Sequence, residues 1–104
     1  MTTFDDRESA FEAKFAHDAD MVFKAEARRD KLVGQWAAGL LGKAGAAADD
    51  YAASVVMADM QEAGVEDVVR KLVADLKGKA TDVQIRAKLA ELLVTAKAQI
   101  ASEN

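Results

Sequence analysis

No proline interrupts this chain, and its apolar residues recur at spacings of three and four over most of its length. Proline takes away a backbone donor and breaks a helix interior, so nothing here forces a helix to stop except glycine. β-branched residues are few beside abundant Ala, Leu, Lys and Glu, which favours helices throughout. The clearest stripe is Val65, Val68, Val69, Leu72, Val73 and Leu76. Glu66 and Asp67 precede it and Arg70, Lys71 and Lys77 follow, as the helix dipole prefers. A helix is expected over 66–77, ended by Gly78. Thr81-Asp82-Val83-Gln84 then reads as a capping box. Behind it Ile85, Leu89, Leu92, Leu93, Ala96 and Ile100 form one continuous stripe, predicting a helix to Ile100 or Ala101 with Ser102-Glu103-Asn104 frayed.

The first half of the chain yields two more helices. Over 20–42, Val22, Ala25, Leu32, Trp36 and Leu40 give the apolar side, widened by Val33, Ala37 and Leu41. Lys24, Arg28 and Lys31, with Arg29 beside them, fit a solvated face offset by Glu26 and Asp30; the competing reading is a basic stripe for an acidic partner or a phosphate. Gly39-Leu40-Leu41-Gly42-Lys43-Ala44-Gly45 invites comparison with a phosphate loop, but two residues rather than four separate the glycines and Ala follows the lysine. Gly42 or Gly45 as a helix C-cap, with Lys43 at the negative end, explains the run better. A further helix is expected over 46–63, with Ala48, Tyr51, Ala52, Val55 and Val56 inside and Met57 or Met60 filling gaps. Gly64 closes it. Connections are short, so successive helices should pack roughly antiparallel. The expected fold is all-α, a small four-helix bundle.

Length and composition exclude several function classes. A chain of 104 residues is one domain with a modest core. It has no cysteine, hence no disulfide framework and no thiolate metal site. No apolar run approaches the ~20 residues that span a bilayer, and the acidic N-terminus lacks the apolar segment of a secretory signal. A cytoplasmic protein is expected. The net charge of −4 argues against nucleic acid as a partner. His17 is the single histidine, with Ala13 and Met21 where a second metal ligand would stand. Asp5-Asp6 and Asp49-Asp50 are helix neighbours about 100° apart, not convergent carboxylates. No nucleophile motif is present. No enzyme, metal or cofactor is expected.

What remains is the N-terminus. Phe4, Phe11 and Phe15 fall on one helical stripe that Ala19 and Val22 continue, while Asp5, Asp6, Arg7, Glu8, Glu12 and Lys14 take the other faces. Thr3 is a serviceable N-cap. The stripe fits either packing into the domain's own core or an arm that folds on a partner. An isolated helix of ~15 residues is marginal in water. Burying each Phe contributes roughly 1.5–3 kcal/mol, whereas ordering each backbone residue costs about 1–2 kcal/mol. Such an arm frays alone and becomes helical in an apolar groove.

The run Met1-Thr2-Thr3-Phe4-Asp5-Asp6-Arg7-Glu8, followed by Ala10-Phe11-Glu12-Ala13-Lys14-Phe15-Ala16-His17-Asp18, resembles the N-terminus of the zeta subunit family. Those are small inhibitors of the F-type ATP synthase in alphaproteobacteria. Phe23-Lys24-Ala25, Ala27-Arg28-Arg29, Lys31-Leu32, Trp36-Ala37-Ala38, Val55-Val56-Met57-Ala58-Asp59, Glu66-Asp67-Val68 and Arg70-Lys71 are also similar to the family's pattern. Ser9 departs from it, standing where the family usually has a basic residue, and Gly39 and Met60 are less typical.

The resemblance implies a regulatory subunit that inhibits ATP hydrolysis. Its N-terminal segment would enter an interface between alpha and beta subunits, become helical and block rotation in the hydrolytic direction. Residues 1–19 would be the inhibitory arm and 20–104 the bundle. Phe4, Phe11 and Phe15 would be anchors. Arg7 and Lys14 would meet acidic groups, and Asp5, Asp6, Glu8 and Glu12 basic groups or the helix dipole. The implied partners are the alpha, beta and gamma subunits of the catalytic head, with no nucleic acid and no membrane insertion. The free protein would be a monomer, and the bound one would lie at the inner membrane through the synthase. The alternative is a bundle that scaffolds an assembly, with the arm packed as structure.

Overall fold

A computed structural model of the chain describes residues 19–60 and 65–103. They form four helices and no strand: α1 (Ala19–Leu40), α2 (Ala46–Asp59), α3 (Glu66–Asp75) and α4 (Asp82–Glu103). Each helix packs on the next in sequence, and α4 returns to pack on α1, which closes the bundle. Val33, Ala37, Val55, Val68, Leu72, Leu76, Ile85 and Leu89 fill the main core, with Trp36, Leu41, Tyr51 and Leu92 at its margin. Ala25 and Ile100 form a second cluster, with Met21 and Ala101 against it.

The helix ends follow local chemistry. α1 closes in a Schellman arrangement: Lys43 N–H donates to Ala38 C=O at 2.9 Å and Gly42 N–H to Gly39 C=O at 3.1 Å. That geometry needs a left-handed residue between them, and Gly42 supplies it with φ 75°. Gly45 is not a second C-cap but the N-cap position of α2. Thr81 and Gln84 complete the reciprocal box. Gln84 N–H donates to Thr81 Oγ1 at 3.1 Å and Thr81 N–H to Gln84 Oε1 at 2.9 Å.

Several boundaries and faces differ from the sequence reading. α1 stops at Leu40, before the Gly42 turn. α2 ends at Asp59 rather than 63, and α3 at Asp75, with Leu76 as its C-cap. α4 runs on through Ser102 and Glu103 instead of fraying, because Arg28 of α1 donates to Glu103 Oε1 at 2.7 Å. Met57 and Met60 fill no gaps: each is more than half exposed. The inner face of α1 keeps the expected Ala25, Val33 and Ala37, with Trp36 and Leu41 at the core margin, and extends to Arg29, Asp30, Gly34 and Ala38, while Val22 and Leu40 are exposed. The small residues are inside because they let α2 approach.

Candidate partner-binding surface

The nine residues expected to bind a partner, Phe4, Asp5, Asp6, Arg7, Glu8, Phe11, Glu12, Lys14 and Phe15, lie outside the described residues, as does His17. The structure does describe the start of the helix that follows them. α1 begins at Ala19. One side of its first turns is fastened to the end of α4: Ala25 is buried against Ile100, and Arg28 donates to Glu103 and, at 3.5 Å, to Gln99 Oε1. The bond from Arg28 holds the Glu103 carboxyl below its usual range. Phe23 is 58% exposed, and Val22, 39% exposed, borders a hollow with Val65 and with Leu93 and Lys97 of α4. Val22 is the position that continues the sequence stripe of Phe4, Phe11 and Phe15.

The basic run on α1 divides. Lys24 and Lys31 are exposed, as a solvated face requires, but Arg28 is committed to α4 and Arg29 to the interior. Arg29 Nε donates to Asp30 Oδ1 at 3.1 Å, and its Nη2 reaches Asp59 Oδ2 at 3.5 Å. Asp30 is fully buried. Burial, and next the neighbouring Asp59 carboxyl, push its pKa up to about 8, against the opposing pull of Arg29. Sequence reading missed this cluster, because Asp30 looked like one more charge on a wet face. The signal was present in the spacing: Asp30, Gly34 and Ala38 recur every four residues, and a column holding Gly and Ala is a column that another helix can touch.

Polar ties elsewhere are structural. Tyr51 Oη donates to Asp75 Oδ2 at 2.7 Å, and Lys71 Nζ reaches the same oxygen at 3.0 Å while lying 5.0 Å from the centre of the Tyr51 ring. Burial and the Asp75 carboxylate raise the Tyr51 pKa, which makes its phenol a poor proton donor to a substrate. Asp75 in turn is lowered, as the donors Tyr51 and Lys71 outweigh its partial burial. Arg86 joins α4 to the start of α3 through two bonds of 2.9 Å to Glu66. Between α1 and α2 lies an open hollow of about 540 Å³, with Lys31, Val56 and Met57 on its rim. Among the described residues no group of three acidic or imidazole side chains is placed to hold a metal ion.

The sequence is matched over residues 1–99 by the family model described as ATPase inhibitor subunit zeta. A solved solution NMR structure is 55% identical to it, with a TM-score of 0.74 over 81% of this chain and 99% of that one. No curated protein matches.

Proposed function

The chain belongs to the ATPase inhibitor subunit zeta family, and on that footing we propose that it restrains the F-type ATP synthase by inserting residues 1–19 as a helix into an alpha/beta catalytic interface. Family membership makes it an ATPase inhibitor subunit associated with the synthase. The arm mechanism goes further, and one observation carries it: the family match begins at residue 1 and runs through the apolar stripe. An inhibitor family that shares its first eighteen residues along with its bundle fits a role for that segment in inhibition.

Two features of the bundle support the same reading. Val33, Val55, Leu72 and Ile85 of the four described helices are fully buried, and the exposed Phe23 lies at the root of the arm. In this reading Phe4, Phe11 and Phe15 anchor in an apolar groove, while Arg7, Lys14 and the acidic residues Asp5, Asp6, Glu8 and Glu12 set its orientation. Residues 20–104 act as a handle that limits how far the arm enters, and contact with gamma would block rotation. The free protein is a monomer. No described helix is long and apolar enough to cross a membrane, so its place in the cytoplasm at the inner membrane comes through the synthase.

The test is ATP hydrolysis by a purified catalytic head stripped of its own zeta subunit. Full chain and a chain lacking residues 1–19 are added in turn. Inhibition by the full chain alone is expected. Equal inhibition by both would move the activity to the bundle, and inhibition by neither would favour a scaffolding role.

A further inference from the structure

The interior of the bundle holds one cation and two carboxyls where a neutral set is required. Arg29 and Asp30 lie on α1, and Asp59 is the last residue of α2. With all three ionised the cluster carries a net negative charge away from water, which is costly. One proton removes the excess. The hydrogen bonds show where it fits. Asp30 Oδ1 accepts from Arg29 Nε at 3.1 Å and Nη2 at 3.0 Å, and Asp59 Oδ2 accepts from Nη2 at 3.5 Å. Asp30 Oδ2 is buried with no donor directed at it. A carboxylate oxygen buried without a donor is costly, whereas a protonated carboxyl is neutral. Oδ2 of Asp30 is the oxygen left to carry the proton.

We propose that Arg29, Asp30 and Asp59 form a proton-operated latch, which ties the middle of α1 to the end of α2 while Asp30 holds one proton and releases that junction when the proton leaves. Arg29 and Asp59 are the charged groups that act on Asp30. Glu26 of α1 and Lys97 of α4 line the hollow next to Arg29, and Val65 closes it from the start of α3. Ionised Asp30 leaves two carboxylates competing for one guanidinium. The simplest relief is separation of the last turn of α2, which admits water to Asp59. Asp59 is the last residue of α2, whereas Arg29 and Asp30 lie within α1.

The test uses the full chain. Side-chain carboxyl carbons are followed by NMR from about pH 5 to about pH 10, beside amide protection factors for residues 56–60 corrected for the intrinsic rise of exchange with pH. The expected result is an Asp30 carboxyl that titrates with a midpoint of about 8. Protection of the α2 terminus should fall roughly tenfold or more across the same range. Asp30→Asn, which is neutral and has no proton to lose, should hold its protection throughout. Ordinary titration of both carboxyls would overturn the latch, as would protection that stays constant while Asp30 ionises. If Asp30→Asn does not fold, the native titration decides alone.

Discussion

Gly34 on α1 lies so close to Ala52 on α2 that a methyl group at Gly34 would stand 2.6 Å from the Ala52 Cα. The obstacle is backbone, with no flexible side chain to swing aside, so the helices themselves would have to part. This contact explains why a glycine sits in the middle of a helix that would otherwise gain from alanine.

The pair Gly34 and Gly39 tests that directly. Both lie within α1, but a methyl at Gly39 meets nothing within 4 Å. In an open helix interior Gly→Ala stabilises by about 0.5–1 kcal/mol. Forcing apart a packed contact costs about 1–3 kcal/mol. Urea unfolding should therefore show Gly39→Ala more stable than the native chain and Gly34→Ala less stable. The same gain at both sites would mean that α1 and α2 do not approach as described.

Thr81→Ala removes the side-chain half of the capping box at the start of α4. The lost bond to Gln84 N–H should lower stability by about 1 kcal/mol, in the usual range for an N-cap. Thr81→Ser keeps the hydroxyl and should stay near native stability. A serine variant as unstable as the alanine one would point to packing of the threonine methyl instead of the cap.

Most of the bundle was legible because apolar spacing and capping chemistry agree. The stripe of Val68, Val69, Leu72 and Leu76 and the box of Thr81 and Gln84 each name one helix and one face. The four-helix count and the Gly42 stop follow from the same local rules. What escaped was set by contacts between helices. Asp30 taken alone reads as a surface charge, and only the column of Gly34 and Ala38 above it signals that α2 comes close enough to bury it. Nothing local in Glu103 announces Arg28, seventy-five residues away. Met57 and Met60 read as core by hydropathy alone, yet the small residues Ala52 and Val55 had already settled which side of α2 faces in. For the arm, the spacing of Phe4, Phe11 and Phe15 defines a stripe, but a stripe does not say what covers it.

Asp30 also gives stability a pH dependence of definite sign. Its carboxyl has an ordinary value of 3.8 and is raised to about 8 in the fold. Between those values the folded chain keeps a proton that the unfolded chain has lost, so this group's contribution is fully present below the lower value and is lost as pH rises through the upper one. Asp30→Asn lacks the linkage. Chemical denaturation at several pH values should show the native chain losing stability relative to the variant from about pH 4 to about pH 8 and running parallel to it above. Parallel curves throughout would show that Asp30 is already ionised in the fold.

Phe11→Ala separates binding from folding. Among the described residues Val33, Leu72, Leu76 and Ile85 are wholly buried in one core. If Phe11 anchors the arm in the synthase, truncating it forfeits roughly 1.5–3 kcal/mol of burial, which corresponds to inhibition weaker by roughly ten- to a hundredfold. Far-UV helicity and the unfolding midpoint of the free protein should not change. Leu72→Ala makes the opposite change, emptying a fully buried site at a cost of about 2–5 kcal/mol. Its inhibition should track the fraction of bundle that remains folded. A Phe11→Ala variant that loses helicity and melts early would place Phe11 in the core, and the first eighteen residues would then be part of the bundle rather than an arm attached to it.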